Sequence, residues 1–138
     1  MIQLGHPSAY KIASASTTVA TLKQMLKQGF NETSDDEVLD GIFAPYSTEV
    51  GKLSLIRNAT ALNTNLTTEI THLLHKIEAR TLILWGMDDK FQLLKFGKRL
   101  SDDIPNAKLI QIKDSGHFVM LDQPEEVAVH VFSFLGEK

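Results

Sequence analysis

Two polar residues in the C-terminal third of the sequence follow apolar runs and could carry proton-transfer chemistry. Asp89 ends the stretch Leu82-Ile-Leu-Trp-Gly-Met-Asp-Asp89, and His117 lies 28 residues later in Asp114-Ser-Gly-His-Phe118. A carboxylate and a histidine at the ends of neighbouring buried strands can form the acid–base half of a nucleophilic triad. The third member, an activated serine or cysteine, is not recognisable in the sequence. Asp89 and His117 are therefore candidate catalytic residues without a visible nucleophile.

The elements that would position both residues begin near Ala79, where strand and helix patterns start to alternate. Residues 81–85 form a continuous apolar run, which is typical of a strand buried on both faces of a parallel sheet. Residues 107–112 indicate a second strand. One helix is expected between the strands, and another from Pro124 to Gly136. This βαβα order predicts parallel strands.

The preceding residues, 17–77, have the periodicity of successive helices. Four apolar faces are expected, namely Val19, Leu22, Met25 and Leu26; Val38, Leu39, Ile42 and Phe43; Val50, Leu53, Ile56 and Ala59; and Ile70, Leu73, Leu74 and Ile77. Gly29 is expected to end the first helix, and Pro45 the second. Residues 1–16, which contain Gly5, Pro7 and several serines, indicate a loop or a poorly ordered start.

Composition narrows the function classes. The chain has 138 residues, a length that suits one domain. Of these residues, 43% are hydrophobic and 22% are charged, which is typical of a globular protein. A net charge of -3 gives no electrostatic reason to expect a nucleic-acid or membrane partner. There is no cysteine, no signal-peptide pattern and no apolar run of membrane-spanning length, so a cytoplasmic location is expected.

Three blocks of the sequence resemble the C-terminal end of the α/β-hydrolase superfamily in order and spacing. They are Thr81-Leu-Ile-Leu-Trp-Gly-Met-Asp-Asp-Lys-Phe91, Ile104-Pro-Asn-Ala-Lys-Leu109 and Ser115-Gly-His-Phe-Val-Met-Leu-Asp-Gln-Pro-Glu-Glu126. The resemblance implies an α/β fold with a helical cap over residues 17–77 and part of the hydrolase core over 78–138. It also implies that Asp89 is the triad acid and His117 the triad base, with no cofactor and no metal. The nearest branches are small esterases, haloperoxidase-like enzymes and C–C-bond hydrolases.

The sequence departs from the family pattern where the nucleophile is concerned. It has no Gly-x-Ser-x-Gly nucleophile elbow, and Gly5-His-Pro-Ser8 imitates that motif only weakly. The oxyanion loop and most central strands are also missing, and Phe91-Gln-Leu replaces the Val-Pro that often follows the acid. The expected function is therefore the C-terminal portion of a hydrolase, acting on an ester or related bond in a small, fairly apolar substrate and inactive alone. Such a chain would be a truncated gene product or a fragment.

Several residues admit a second interpretation. Asp88 is the alternative acid, although the Gly-x-x-Asp spacing from Gly86 favours Asp89. Asp89 could equally cap the next helix, while His117 could be an ordinary loop histidine. Asp122 is expected to help start the last helix. Trp85, Phe118 and Met120 could line a pocket, although packing in the core is the expected role of each.

A second polar cluster, His72-x-x-His75 with Glu69 and Glu78 nearby, has a spacing that could suggest a metal site. A di-metal site on helices needs two Glu-x-x-His pairs, and the sequence offers one. These residues are therefore expected to be ordinary surface residues of a helix.

A sheet of only two strands leaves edges to be covered. The alternative function is therefore a non-catalytic binding or dimerising module, derived from a truncated hydrolase, that associates with itself through an open sheet edge. A third possibility is a split enzyme whose other half supplies the serine in trans.

Overall fold

A computed structural model describes residues 15–31, 36–61 and 65–136, which form two compact units. The first unit contains the described residues of Met1–Lys27 and Ser34–Asn65, and the second contains those of Gln28–Thr33 and Leu66–Lys138. The loop expected at the start of the chain lies mostly outside the described residues. Its last two positions, Ala15 and Ser16, belong to the first helix.

The first unit is helical, as the periodicity predicts. It consists of α1 (Ala15–Lys27), α2 (Asp36–Phe43), a 3₁₀ helix (Ala44–Tyr46) and α3 (Glu49–Ala61). In α2, Leu39 and Phe43 lie one turn apart and are buried, so they form the inward side of that helix. Pro45 occupies the first turn of the 3₁₀ helix and ends the regular α-helical hydrogen bonding, as expected.

Two lysines of α1 form ion pairs with acidic residues of α2. Lys23 pairs with Asp40, and Lys27 pairs with Asp36. The hydrogen bond and the charge of Lys27 lower the pKa of the Asp36 carboxyl group. All of these groups are solvent-accessible, so the pairs contribute little free energy.

The apolar face predicted for α3 is wrong at its first two positions. Val50 and Leu53 are exposed, whereas Leu55 and Ile56 are half-buried. The reason is Gly51, since a Cβ atom there would overlap the carbonyl oxygen of Pro45. This close approach turns the glycine side of α3 toward the 3₁₀ helix and leaves Val50 on the outside.

The fourth predicted helix is replaced by two short pieces. A one-turn helix, α4 (Asn65–Thr68), is followed by a 3₁₀ helix (Thr71–Lys76). Ile70 and Leu73, which were expected on one buried face, are both exposed. The tighter 3₁₀ turn places residues three apart above one another, so the expected i, i+3, i+4, i+7 face does not form.

The second unit confirms the predicted βαβα order. It continues with β1 (Thr81–Gly86), α5 (Leu94–Asp103), β2 (Ala107–Ile112), the short α6 (Val119–Asp122) and α7 (Pro124–Gly136). The strands pair in parallel, with Thr81 opposite Ala107 and Gly86 opposite Ile112. Ile83 and Ile112 are buried, which fits strands that are covered by helices rather than by solvent. The short α6 was not predicted.

Helix α5 packs on the end of β1 through a glycine. An added Cβ atom at Gly97 would lie 2.7 Å from the ring of Trp85, which is closer than real Cβ contacts allow. The indole nitrogen of Trp85 donates a hydrogen bond to the carbonyl oxygen of Gln92 (2.9 Å). The ring is therefore held between the helix and the turn that follows β1.

In α7, Val127, Val131 and Phe134 are half-buried, whereas Leu135 is exposed. The guanidinium group of Arg80 lies 4.7 Å from the centre of the Phe134 ring and donates a hydrogen bond to its carbonyl oxygen (3.0 Å). This contact links the end of α7 to the residue before β1. Among the described residues, no helix combines the length and the apolar character needed to cross a membrane.

The contact between Gly97 and Trp85 gives a stability prediction. Gly97→Ala should lower the free energy of unfolding by about 1–3 kcal/mol, because the new methyl group must displace the indole ring. Urea denaturation monitored by tryptophan fluorescence measures this loss. Gly136→Ala is the matched control, since an added Cβ atom there meets nothing within 4 Å, and it should change stability by no more than about 0.5 kcal/mol. Equal stabilities for the two variants would contradict the packing described.

Candidate functional site

Asp89 lies just beyond the end of β1 and is buried, with 7% of its surface exposed. Its Oδ1 atom accepts hydrogen bonds from the backbone N–H groups of Phe91 and Gln92, both at 2.8 Å. The carboxylate therefore organises the turn after the strand. It does not cap α5, because both of these N–H groups precede that helix, which begins at Leu94. With one oxygen fixed by two amides, the other oxygen is free to serve a second partner.

His117 lies in the loop that follows β2. Its Nδ1 atom is 2.9 Å from Oδ2 of Asp89. The backbone N–H of His117 donates a hydrogen bond to the carbonyl oxygen of Gly29 (2.6 Å). When Nδ1 carries its proton and donates it to Oδ2, Nε2 is the unprotonated acceptor nitrogen. Among the described residues nothing forms a hydrogen bond at Nε2, and 36% of the side chain is exposed.

The parallel pairing of the strands brings these two loops together. Beyond the last paired residues, Met87 N–H donates to the carbonyl of Ile112 (2.9 Å), and Asp88 N–H donates to that of Ser115 (3.0 Å). Gly86 makes this approach possible, because a Cβ atom there would overlap the carbonyl oxygen of Gly116. Backbone hydrogen bonds thus join the two strand ends independently of the side chains of Asp89 and His117.

The loop from β2 to His117 has its own internal order. Asp114 has a φ of 48°, the left-handed conformation that aspartate tolerates better than most residues. Ser115 is fully buried, and its hydroxyl group donates to the carbonyl oxygen of Ile112 (2.9 Å). Ser115 is therefore occupied by a structural hydrogen bond to its own loop.

A cavity of about 180 Å³ lies beside the carboxylate and the imidazole. Its lining residues are Leu84, Trp85, Gly86, Asp89, Gln92, His117, Val119 and Met120. The rings of Phe91 and Phe118 lie edge-on to His117, at 5.4 and 5.2 Å between ring centres. Trp85 and Met120 thus border the cavity, whereas Phe118 also packs on Phe30 at 4.9 Å. The surroundings of the imidazole are mainly apolar.

No protein-family model matches the sequence. The known proteins to which it is similar are hydrolases. The uncharacterized hydrolase YugF of Bacillus subtilis is 30% identical over 101 residues, which is 73% of this chain and 36% of that protein. The 2-hydroxy-6-oxo-6-phenylhexa-2,4-dienoate hydrolase of Burkholderia cepacia is 30% identical over 114 residues, 80% of this chain and 40% of that protein. The chain thus spans less than half the length of these relatives.

The crystal structure of an α/β hydrolase fold protein from Burkholderia ambifaria superimposes with a TM-score of 0.81 at 25% identity. The match covers 96% of this chain and 53% of that one. This chain has the fold of the C-terminal half of an α/β hydrolase. The resemblance found in the sequence and the predicted fold class are therefore confirmed.

Within this partial α/β-hydrolase fold, the structure distinguishes between the two candidate acids, Asp88 and Asp89. Asp88 is exposed and participates in the turn through its backbone N–H. Asp89 is the carboxylate that faces His117. Asp89 and His117, the two candidate residues of the sequence, therefore lie together in the structure.

Two residues near His117 have contacts that the sequence did not predict. Oδ2 of Asp122 accepts hydrogen bonds from the backbone N–H groups of Gly116 (2.7 Å) and Asn31 (3.3 Å), so the expectation that Asp122 starts the last helix is wrong. Gly29 has no positive φ and does not form a left-handed helix cap. Its carbonyl group instead receives the His117 N–H. An aspartate before a proline-led helix has the pattern of a helix start, so the sequence carried no signal for this contact.

The histidine cluster of the fourth predicted helix stands apart from the pair. His72 and His75 are exposed on the 3₁₀ helix and border an open cleft of about 610 Å³. Arg99 of that cleft forms an ion pair with Asp103 (3.4 Å). Across residues 15–31, 36–61 and 65–136, no group of three or more metal-binding side chains is found.

The hydrogen bonds of Asp89 predict a stability difference between adjacent carboxylates. Asp89→Ala should lower the free energy of unfolding by about 1–3 kcal/mol, because it leaves the amides of Phe91 and Gln92 without their acceptor. Asp89→Asn should cost less, since its amide oxygen can replace Oδ1. Asp88→Ala is the control and should change stability by about 0.5 kcal/mol or less. Chemical denaturation checks the order, and an equal loss at both positions would contradict it.

Proposed function

We propose that this chain is the portion of an α/β-fold hydrolase that supplies the acid and the base of a serine-hydrolase triad. The proposed substrate is a small, fairly apolar molecule with an ester or related bond. The observation that carries the proposal is the 2.9 Å contact between Nδ1 of His117 and Oδ2 of Asp89. It leaves Nε2 accessible at the edge of an apolar cavity, which is what a general base requires.

In the proposed reaction, Nε2 of His117 accepts the proton of a serine hydroxyl as that oxygen bonds to the substrate carbonyl carbon. Asp89 holds the ring in the tautomer with a proton on Nδ1 and stabilises its positive charge. The tetrahedral intermediate then loses the leaving group, which takes the proton from Nε2. Water, activated by the same nitrogen, hydrolyses the acyl intermediate and regenerates the serine.

The serine and the oxyanion donors of this scheme come from a different segment. The sequence contains no Gly-x-Ser-x-Gly, and Ser115 is buried in its hydrogen bond with Ile112. One oxyanion donor alone is typically worth about 10²–10³-fold in rate. We therefore expect the chain to be inactive by itself and active once a nucleophile-bearing segment is joined to it or bound to it.

The cavity supports an apolar substrate. Leu84, Trp85, Val119 and Met120 supply most of its lining, beside the proton-transfer pair. Its volume of about 180 Å³ is below the roughly 300–1,000 Å³ of a typical small-molecule site, so the cavity accounts for part of a binding pocket. The phenyl-bearing dienoate in the name of the Burkholderia cepacia relative also fits an apolar pocket.

Ester hydrolysis tests the proposal directly. The chain alone should hydrolyse p-nitrophenyl butyrate no faster than His117→Ala. When it is combined with a hydrolase segment that carries strand, Gly-x-Ser-x-Gly and helix, turnover should appear and should fall about 10²–10⁴-fold in His117→Ala. The control His130→Ala, on α7, should retain activity. Activity of the chain alone that persists in His117→Ala, or assembled activity that does not depend on His117, would contradict the proposal.

Asp89→Asn provides a sharper test, because the geometry predicts how this substitution changes the hydrogen bond to His117. Its oxygen would accept from the two backbone amides, so its NH₂ group would face Nδ1 of His117. The imidazole would then carry its proton on Nε2 and could not act as a base. We expect a loss of about 10²–10⁴-fold in kcat of the assembled enzyme, with Asp88→Asn close to the unmodified chain. Similar rates for both variants would contradict the role of Asp89.

A second candidate function, self-association without catalysis, is favoured by a specific surface. Val129, Phe132 and Leu135 share one side of α7 and are 65%, 75% and 71% exposed. The described sheet has only two strands, so each strand has an unpaired edge. Exposed apolar stripes of this kind mark association surfaces. We propose that a second copy of the chain covers them when no other segment does.

Sedimentation velocity over a range of concentrations tests this association. The chain should sediment as a dimer or larger species at high concentration, and Phe132→Glu should shift it toward monomer because a charge replaces the centre of the stripe. Ser133→Glu adds the same charge at an exposed polar position of the same helix and should leave the distribution unchanged. A monodisperse monomer at all concentrations would contradict the proposal.

A further inference from the structure

Two adjacent side chains, those of Asp122 and Gln123, form hydrogen bonds with the backbone of the loop that carries His117. Oδ2 of Asp122 accepts the Gly116 N–H at 2.7 Å, directly before the histidine. The side-chain amide of Gln123 donates to the carbonyl oxygen of Asp114 at 3.0 Å. These two contacts hold the backbone on both sides of the buried Ser115. The pair Asp122–Gln123 thus braces the loop from the junction between α6 and α7.

Asp122 also reaches a part of the chain that is distant in sequence. The same Oδ2 atom accepts the Asn31 N–H at 3.3 Å, while Gly29 accepts the His117 N–H at 2.6 Å. Phe30, which is 7% exposed, packs its ring on Phe118 at 4.9 Å. Residues 29–31 therefore lie against the loop on both sides of His117, and one carboxylate oxygen joins the two segments.

The close packing leaves the loop little freedom. A Cβ atom at Gly116 would overlap the carbonyl oxygen of Gly29, so the two backbones lie in direct contact. Bonds from backbone amides to a carboxylate are stronger than those to neutral acceptors. Without the Asp122 carboxylate, the Gly116 and Asn31 amides would need new partners, and the loop would have to move to find them. A shift of that kind would carry the imidazole away from Asp89.

We propose that Asp122 is the positioning residue for His117, because its carboxylate joins the histidine loop to residues 29–31 and thereby fixes the imidazole against Asp89. The assignment rests on the proposed function for its catalytic meaning, but it concerns a geometry that exists in the chain itself. Asp122 touches neither reacting group, so its influence passes through the Gly116 and Asn31 amides.

Nuclear magnetic resonance of the full chain, labelled with ¹⁵N-histidine, tests this role without any activity. The proton shared between Nδ1 of His117 and Oδ2 of Asp89 should give a downfield resonance, assigned by its loss in Asp89→Ala. Asp122→Ala should lose or broaden that resonance at temperatures where circular dichroism shows the variant folded. Asp122→Asn, which keeps an acceptor oxygen, should restore it in part. Asp102→Ala removes an exposed carboxylate of α5 and should leave it intact.

The outcomes separate positioning from general stability. A folded Asp122→Ala variant that has a lower denaturation midpoint but an unchanged resonance would overturn the inference. If that variant does not fold, Asp122→Asn, which keeps only a neutral acceptor for the Gly116 and Asn31 amides, should still weaken the resonance, and an unchanged signal in Asp122→Asn would also overturn the inference. Absence of the resonance in the unmodified chain would contradict the Asp89–His117 pair and thus the proposed function. A normal resonance lost in Asp122→Ala would support positioning even if no esterase activity is found.

Discussion

The parallel pairing of β1 with β2 is the constraint on which the site depends. The strands run in the same direction and pair from Thr81 and Ala107 to Gly86 and Ile112. The segments that follow the two strands therefore leave the sheet at the same end. Two loops that are far apart in sequence are then within hydrogen-bond distance. A shift of the register by one residue would reverse which side chains face the core and would separate Asp89 from His117.

The site is held by backbone contacts more than by side chains. The close approach of Gly86 to Gly116, and of Gly116 to Gly29, leaves no room for Cβ atoms. Asp89 and Asp122 each use a carboxylate oxygen to collect two backbone N–H groups. A buried carboxylate such as that of Asp89 is costly unless it is hydrogen-bonded, and the hydrogen bonds that both carboxylates accept are the same bonds that fix the loops.

Local sequence patterns predicted both strands and the two longer helices of the second unit. The span of β2 and the start of α7 at Pro124 agree with the expectation, because apolar runs and a first-turn proline act over a few residues. Contacts that depend on distant residues were missed, such as those of Gly29 and Asp122. The exposure of Val50 and Leu53 was also missed, because the packing of Gly51 on Pro45 overrides the apolar periodicity of that helix. The residues that neighbour Gly29, Asp122 and Gly51 in the sequence do not indicate these contacts.

The short segment Gln28–Thr33 belongs to the second unit, although the residues on both sides of it in the sequence belong to the first. The second unit is therefore discontinuous along the chain. Any exchange of helical regions between related proteins, whether by recombination or by design, has to leave this segment in place, because it carries Gly29 and Asn31.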